Sequence, residues 1–131
     1  MGKKVKKHLA WFGQAQNDLL WAKDTLERDH FAQACFICQQ IGEKCLKAIA
    51  YFRGHDMVKG HSLVKLAHDL KINGEVEKAA KRLDLYYIST RYPDALPETG
   101  IPSDMFDKEQ AEEALSYSQI FIDFCLKEFG V

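Results

Sequence analysis

Phe36, Gln40, Glu43 and Lys47 follow one another at intervals of 4, 3 and 4 residues, the spacing that sets side chains in one row along a helix. Within that row Glu43 and Lys47 are an i,i+4 pair in the favourable order, which on a surface stabilises a helix by only a few tenths of a kcal/mol. Further along, Arg91-Tyr92-Pro93-Asp94 offers complementary chemistry. Arg91 carries a planar five-donor fork suited to phosphate or carboxylate, Tyr92 a ring with a polar tip, and Pro93 fixes the direction in which the chain leaves. If this stretch folds back over the row, Arg91, Tyr92 and Asp94 stand near Gln40, Glu43 and Lys47, and together they could hold an anion. Alternatively Arg91 caps the carbonyls of the helix before it, with Asp94 as its partner. His61 is either a turn residue or a further member of the group.

The elements that must position these residues read as helices. Phe12, Ala15, Leu19, Ala22 and Leu26 make one apolar stripe over residues 5 to 28. A turn at Arg28-Asp29-His30 leads to a second helix over 31 to 53, with Phe31, Cys35, Cys38, Gly42, Cys45, Ile49 and Phe52 at the same spacing and Ala34 and Gly42 small enough for a neighbour to approach closely. Gly54 ends it. Ser62 is the expected N-cap of a short helix bearing Leu63, Leu66, Ala67 and Leu70. A fourth helix over 75 to 89 puts Val76, Ala80, Leu83 and Tyr87 on one face, and helical geometry must stop before Pro93. All three prolines fall in the following loop. Asp107 and Gln110 then predict a capping box that opens a last helix facing inward through Ala111, Ala114, Leu115, Ser118, Phe121, Ile122 and Cys125. The expectation is an all-α fold: one domain over 1–131, an antiparallel up-and-down bundle of four main helices plus a short helix. Leu20 and Trp21 lie off the first stripe, and Ile120 and Phe124 off the last seam. They imply a second contact surface, most simply a homodimer, or else a further helix lying over them.

Composition narrows the chemistry. With 131 residues, a net charge of −1 and no apolar run approaching a membrane span, the chain reads as a cytoplasmic protein with no membrane association. Lys3, Lys4, Lys6 and Lys7 form a local basic cluster at a terminus. Cys35 and Cys38 sit in a strongly helical context, not on the tight turn of a zinc site, and with Cys45 they read as buried reduced thiols. His8, His30, His55 and His68 have no partner at ligand spacing, so no metal is expected. No phosphate-binding loop of the GxxxxGK[ST] or GxGxxG type and no GxSxG elbow occurs. No cofactor is called for.

The order of motifs, namely Trp11 to Ala22, then QQIGEKCLKAI, HSLVKL, YISTRYPDA and an Ala-rich last helix, resembles the HEPN domain (higher eukaryotes and prokaryotes nucleotide-binding) over nearly the whole chain. The resemblance implies an up-and-down bundle, commonly dimeric, similar to the C-terminal domain of kanamycin nucleotidyltransferase. It also implies a minimal nucleotidyltransferase partner, a place in a toxin–antitoxin pair, and a nucleotide or RNA ligand. The family positions carried over are Gln40, Glu43, Lys44, Lys47, His61, Arg91, Tyr92 and Asp94, with Arg91 and Lys47 meeting phosphate and Glu43 orienting them. Ribonucleases of the wider superfamily carry an Arg followed by four to six residues and a His. Here no arginine has a histidine in that window, His61 falling one residue too far from Arg53. A metal-independent ribonuclease would have to bring Arg91 and His61 together through the tertiary fold.

Overall fold

The computed structural model describes residues 5–130; Lys3 and Lys4 of the basic cluster lie outside them. Among these residues six α-helices follow one another: α1 (Lys7–Glu27), α2 (Phe31–Phe52), α3 (Leu63–Asp69), α4 (Glu75–Asp84), α5 (Tyr86–Ser89) and α6 (Lys108–Phe129). No strand is present among the described residues.

Local chemistry sets most boundaries. Asp29 adopts φ 64° after α1, a left-handed position that Asp tolerates better than most residues. There the amides of Asp29 and His30 bond back to Leu26 and Thr25, closing the helix end and reversing the chain. Ser62 caps α3 by accepting from the Lys65 amide at 3.2 Å. Asp107 and Gln110 form the expected reciprocal box at the start of α6. In the loop between α5 and α6, Pro93 and Pro102 each open a single 3₁₀ turn, Pro93–Ala95 and Pro102–Asp104, at positions where no amide donor is needed.

Side-chain contacts give the directions. Trp11 meets Tyr51 with ring centroids 6.0 Å apart, and Lys44 pairs with Asp18, so α1 and α2 run antiparallel. Phe52 meets Phe129 at 4.9 Å and the Cys125 thiol reaches the Cys45 carbonyl at 3.5 Å, so α2 and α6 run the same way. Tyr86 meets Phe106, which returns α5 to the start of α6. The result is the antiparallel up-and-down bundle of four main rods, with α3 as the short extra helix and α4 and α5 forming one broken rod.

Two expectations need correction. The second helix was expected to bury one stripe, but α2 packs against α1, α3, α4, α5 and α6 and is buried on nearly every side; Phe52, placed on the stripe, is instead 44% exposed at the helix end. With five neighbours around it, α2 leaves only part of its polar strip open, Phe36, Gln40 and Lys44 being half-buried and Glu43 and Lys47 buried. The fourth helix is also interrupted at Leu85, whose amide bonds to Arg82 three residues back. No Gly or Pro marks the break; the preceding residue, Asp84, is tethered sideways to α3.

All four cysteines are buried and reduced. Burial pushes the Cys35 and Cys38 thiols from an ordinary 9.0 up to about 12, which keeps them protonated and unreactive at neutral pH. Ile120 and Phe124 are half-buried and border the first turn of α4, so a neighbouring helix covers much of their surplus apolar surface. Leu20 and Trp21 remain 66% and 56% exposed.

At Gly42 side chains of both α3 and α6 press against α2. A Cβ built there would stand 2.7 Å from Leu63 Cδ1 and 3.3 Å from Phe121 Cε2, both side chains being fully buried. Gly42→Ala is expected to lower stability by about 1 kcal/mol, the overpacking cost outweighing the gain in helix propensity. Urea denaturation checks this, and unchanged stability would mean that Leu63 moves aside freely.

Candidate functional site

The polar row of α2 forms the floor of a groove with α1 on one side and the α3–α5 segment on the other. Because α1 runs antiparallel, its Trp11, Gln14 and Asp18, spaced 3 and 4, descend along the row. Asp18, almost fully buried, forms an ion pair with Lys44 and accepts from Gln14 Nε2 at 2.9 Å. Trp11 lies over the Lys47 ammonium, 5.5 Å from it at the ring centroid, within cation–π range.

Glu43 is the centre of the groove. Its Oε2 accepts from Lys47 Nζ at 3.1 Å and its Oε1 faces His61 Nδ1 at 2.9 Å. The side chains of Glu43 and Lys47 are only 8% and 9% exposed, so the pair is a buried one and not the surface pair that the spacing alone describes. Because a carboxylate can only accept, His61 Nδ1 is the donor in its contact with Glu43, and Nε2 has no protein hydrogen bond among the described residues.

His61 is held in place through its backbone. Gln39, fully buried, donates Nε2 to the His61 carbonyl at 2.8 Å and to Asp84 Oδ1 at 3.3 Å. Asp84 in turn accepts from the amides of Leu63 at 2.8 Å and Val64 at 3.0 Å and from the Ser62 hydroxyl at 3.1 Å. A carboxylate on the first amides of a helix satisfies donors that the helix itself cannot, and here it also joins α4 to the start of α3.

The other wall is aromatic. The His61 ring stacks on Tyr87, centroids 5.1 Å apart at 17°. The Arg91 guanidinium carbon lies 4.7 Å from the centroid of that same tyrosine, 4.4 Å from Phe36 and 5.0 Å from Tyr92. Arg91 Nε donates to the Tyr87 carbonyl at 2.9 Å, so it does cap the preceding helix, while no ion pair joins it to Asp94. Its two terminal nitrogens have no protein partner among the described residues. A concavity of about 360 Å³ opens beside this wall, lined by His61, Ser62, Asp84, Leu85, Tyr87 and Ile88.

The fold therefore links Lys47, Glu43, His61, Tyr87, Arg91 and Phe36 in one continuous chain of contacts. Arg91 does not touch Glu43 or Lys47 directly. Of the other expected site residues, Gln40 is half-buried and donates to Gln39 Oε1 at 2.8 Å. Lys44 faces α1, Tyr92 is 52% exposed beside Arg91, and Asp94 is exposed on the first 3₁₀ turn without a hydrogen bond. Sequence spacing did not single out Gln39, Asp84, Asp18 or Trp11, and it placed Tyr87 on a core face. Tyr87 stands four residues before Arg91, which is the one signal that could have marked it.

By class this is a small all-α bundle, with an aromatic-backed guanidinium on one wall and a buried Glu–Lys pair beneath an exposed histidine. The family model described as "HEPN domain" matches residues 8–129, and the chain belongs to the HEPN domain family. Among solved structures it is similar to TT1696 from Thermus thermophilus, at 35% identity and a TM-score of 0.87, covering 95% of this chain and 99% of that one. It is similar to ST0689, an archaeal HEPN homologue, at 28% identity and TM-score 0.79, covering 92% and 96%. A HEPN domain protein of Thermotoga maritima (tm0613) aligns at 30% identity and TM-score 0.72 over 92% and 98%. No functionally curated protein matches the chain.

Removing one member of a buried ion pair leaves the other uncompensated, whereas removing both can be nearly neutral. Glu43→Ala is expected to cost about 3 kcal/mol of folding stability, and the double replacement Glu43→Leu with Lys47→Met considerably less. A double-mutant cycle in urea tests the coupling; additive losses would show that the pair is not the structural unit described.

Proposed function

We propose that this HEPN domain is a binding module that takes a nucleotide in the groove and works beside a minimal nucleotidyltransferase partner, as one half of a toxin–antitoxin pair. The observation that carries the ligand reading is Arg91, a guanidinium held against three rings with its terminal nitrogens unpaired. Preorganised in this way, it can meet phosphate through two parallel hydrogen bonds with little loss of side-chain freedom. Lys47, buried and neutralised by Glu43, supports the carboxylate that orients His61, and it is not itself a phosphate contact. The partner reading rests on family resemblance.

A second reading, a metal-independent ribonuclease, is favoured by one observation: Arg91 and His61 each lie against the ring of Tyr87. Glu43 would orient the imidazole as a general base near a 2′-hydroxyl. One set of proteins separates the readings. For the binding module, AMP raises the melting temperature of the wild type but not of Arg91→Ala, since a ligand that binds only the folded state must stabilise it, and cellular RNA stays intact. Cleavage of RNA that is lost in both Arg91→Ala and His61→Ala would establish the enzyme instead.

The same proposal includes a homodimer formed through Leu20 and Trp21, which are 66% and 56% exposed among the described residues. Trp21→Asp is expected to shift the protein to monomer in sedimentation velocity. An unchanged assembly state would remove this face of α1 from the interface.

A further inference from the structure

We infer that the groove engages a single phosphate, so that a nucleoside polyphosphate or a nucleic-acid strand gains nothing over a nucleoside monophosphate. The inference rests on the nucleotide reading above and concerns how many phosphates the site can hold.

Charge accounting along the groove gives the limit. Lys44 is neutralised by Asp18 and Lys47 by Glu43, so the floor is balanced. Along the stretch of the row from Phe36 to Lys47, Arg91 is the one cation among the described residues without a carboxylate partner; the next, Lys7, lies over Tyr51 beyond the Lys47 end. A polyphosphate or a strand needs a succession of cations, because each bound phosphate displaces water and counterions and must be compensated. To supply a second cation, the groove would have to break one of two ion pairs whose carboxylates are buried, leaving a carboxylate uncompensated.

The chain beyond Arg91 works in the same direction. Residues 92–107 contain Asp94, Glu98, Asp104 and Asp107 and no Lys or Arg, and all four carboxylates are exposed. The stretch that follows Arg91 in the chain therefore adds no cation to the one that Arg91 supplies. Single-stranded nucleic acids are held by the opposite arrangement, a basic track with stacking platforms along it.

The non-ionic part of the ligand has a surface to meet. The concavity beside Tyr87 places His61, Leu85 and Ile88 next to the ring against which Arg91 packs. Its volume of about 360 Å³ falls at the small end of ligand pockets, in keeping with one base and its sugar. Stacking on aromatic faces tolerates any base, so discrimination falls on phosphate count and not on base identity.

Isothermal titration of the intact chain with adenosine, AMP, ATP and a 12-nucleotide oligo(A) RNA tests this. Expected are binding of AMP at least 10-fold tighter than adenosine, loss of that margin in Arg91→Ala, and affinities for ATP and the RNA within about 3-fold of AMP. The RNA should show a salt slope of about −0.7, the value for one phosphate contact on a single strand. RNA binding more than 100-fold tighter than AMP, with a slope several times steeper, would overturn the single-phosphate limit while leaving the nucleotide site standing. ATP more than 10-fold tighter than AMP would overturn it likewise. Absence of binding by all four would overturn the nucleotide reading itself.

Discussion

The groove depends on one buried carboxylate. Glu43 shares its two oxygens between the Lys47 ammonium and the His61 imidazole, and each of those partners touches a different wall. Lys47 lies under Trp11 of α1; His61 belongs to the chain entering α3 and stacks on Tyr87 of α5. An ionised carboxylate in so enclosed a position is tolerated only when its lone pairs are satisfied and its charge is matched. Both conditions are met here, and meeting them fixes three elements relative to α2.

A helix in the middle of a bundle would ordinarily be apolar all round. α2 departs from that rule on a single strip, and the departures are paired: Gln39 with Asp84 and the His61 carbonyl, Glu43 with Lys47 and His61, Lys44 with Asp18. Replacing such a pair whole by apolar groups of like volume is often nearly neutral to stability. The effect of these pairs is positional, since a polar pairing with defined partners selects one arrangement of neighbouring helices more sharply than interchangeable methyl contacts do. The Asp84 carboxylate on the first amides of α3 is the clearest instance, because it sets where His61 stands before any ligand arrives.

Much of the fold was legible in the residue pattern. The stripe from Phe12 to Leu26, the Ser62 cap, the Asp107–Gln110 box and the prolines between 93 and 102 are local signals, and local physics decides them: helical periodicity, orphan amides and fixed φ angles. The site was legible only in part. A spacing of 4, 3 and 4 aligned Phe36, Gln40, Glu43 and Lys47, but it could not say that the row is buried, because burial depends on how many neighbours surround α2. Tyr87 is the instructive miss. Its place on an apolar helical face made it a core residue by periodicity, whereas the break at Leu85 turns it toward His61 and Arg91.

By itself the sequence determined that the chain is helical, where most of its rods begin and end, and which residue types could meet an anion. Tertiary structure alone decided which of those residues share a space, through contacts between positions 18 and 44, 43 and 61, or 61 and 87. It also decided which charges are already spent on one another. The reason is physical: capping, turn geometry and helical period act over a few residues along the chain, whereas ion pairing and desolvation act across space and take their strength from whatever the fold packs beside them.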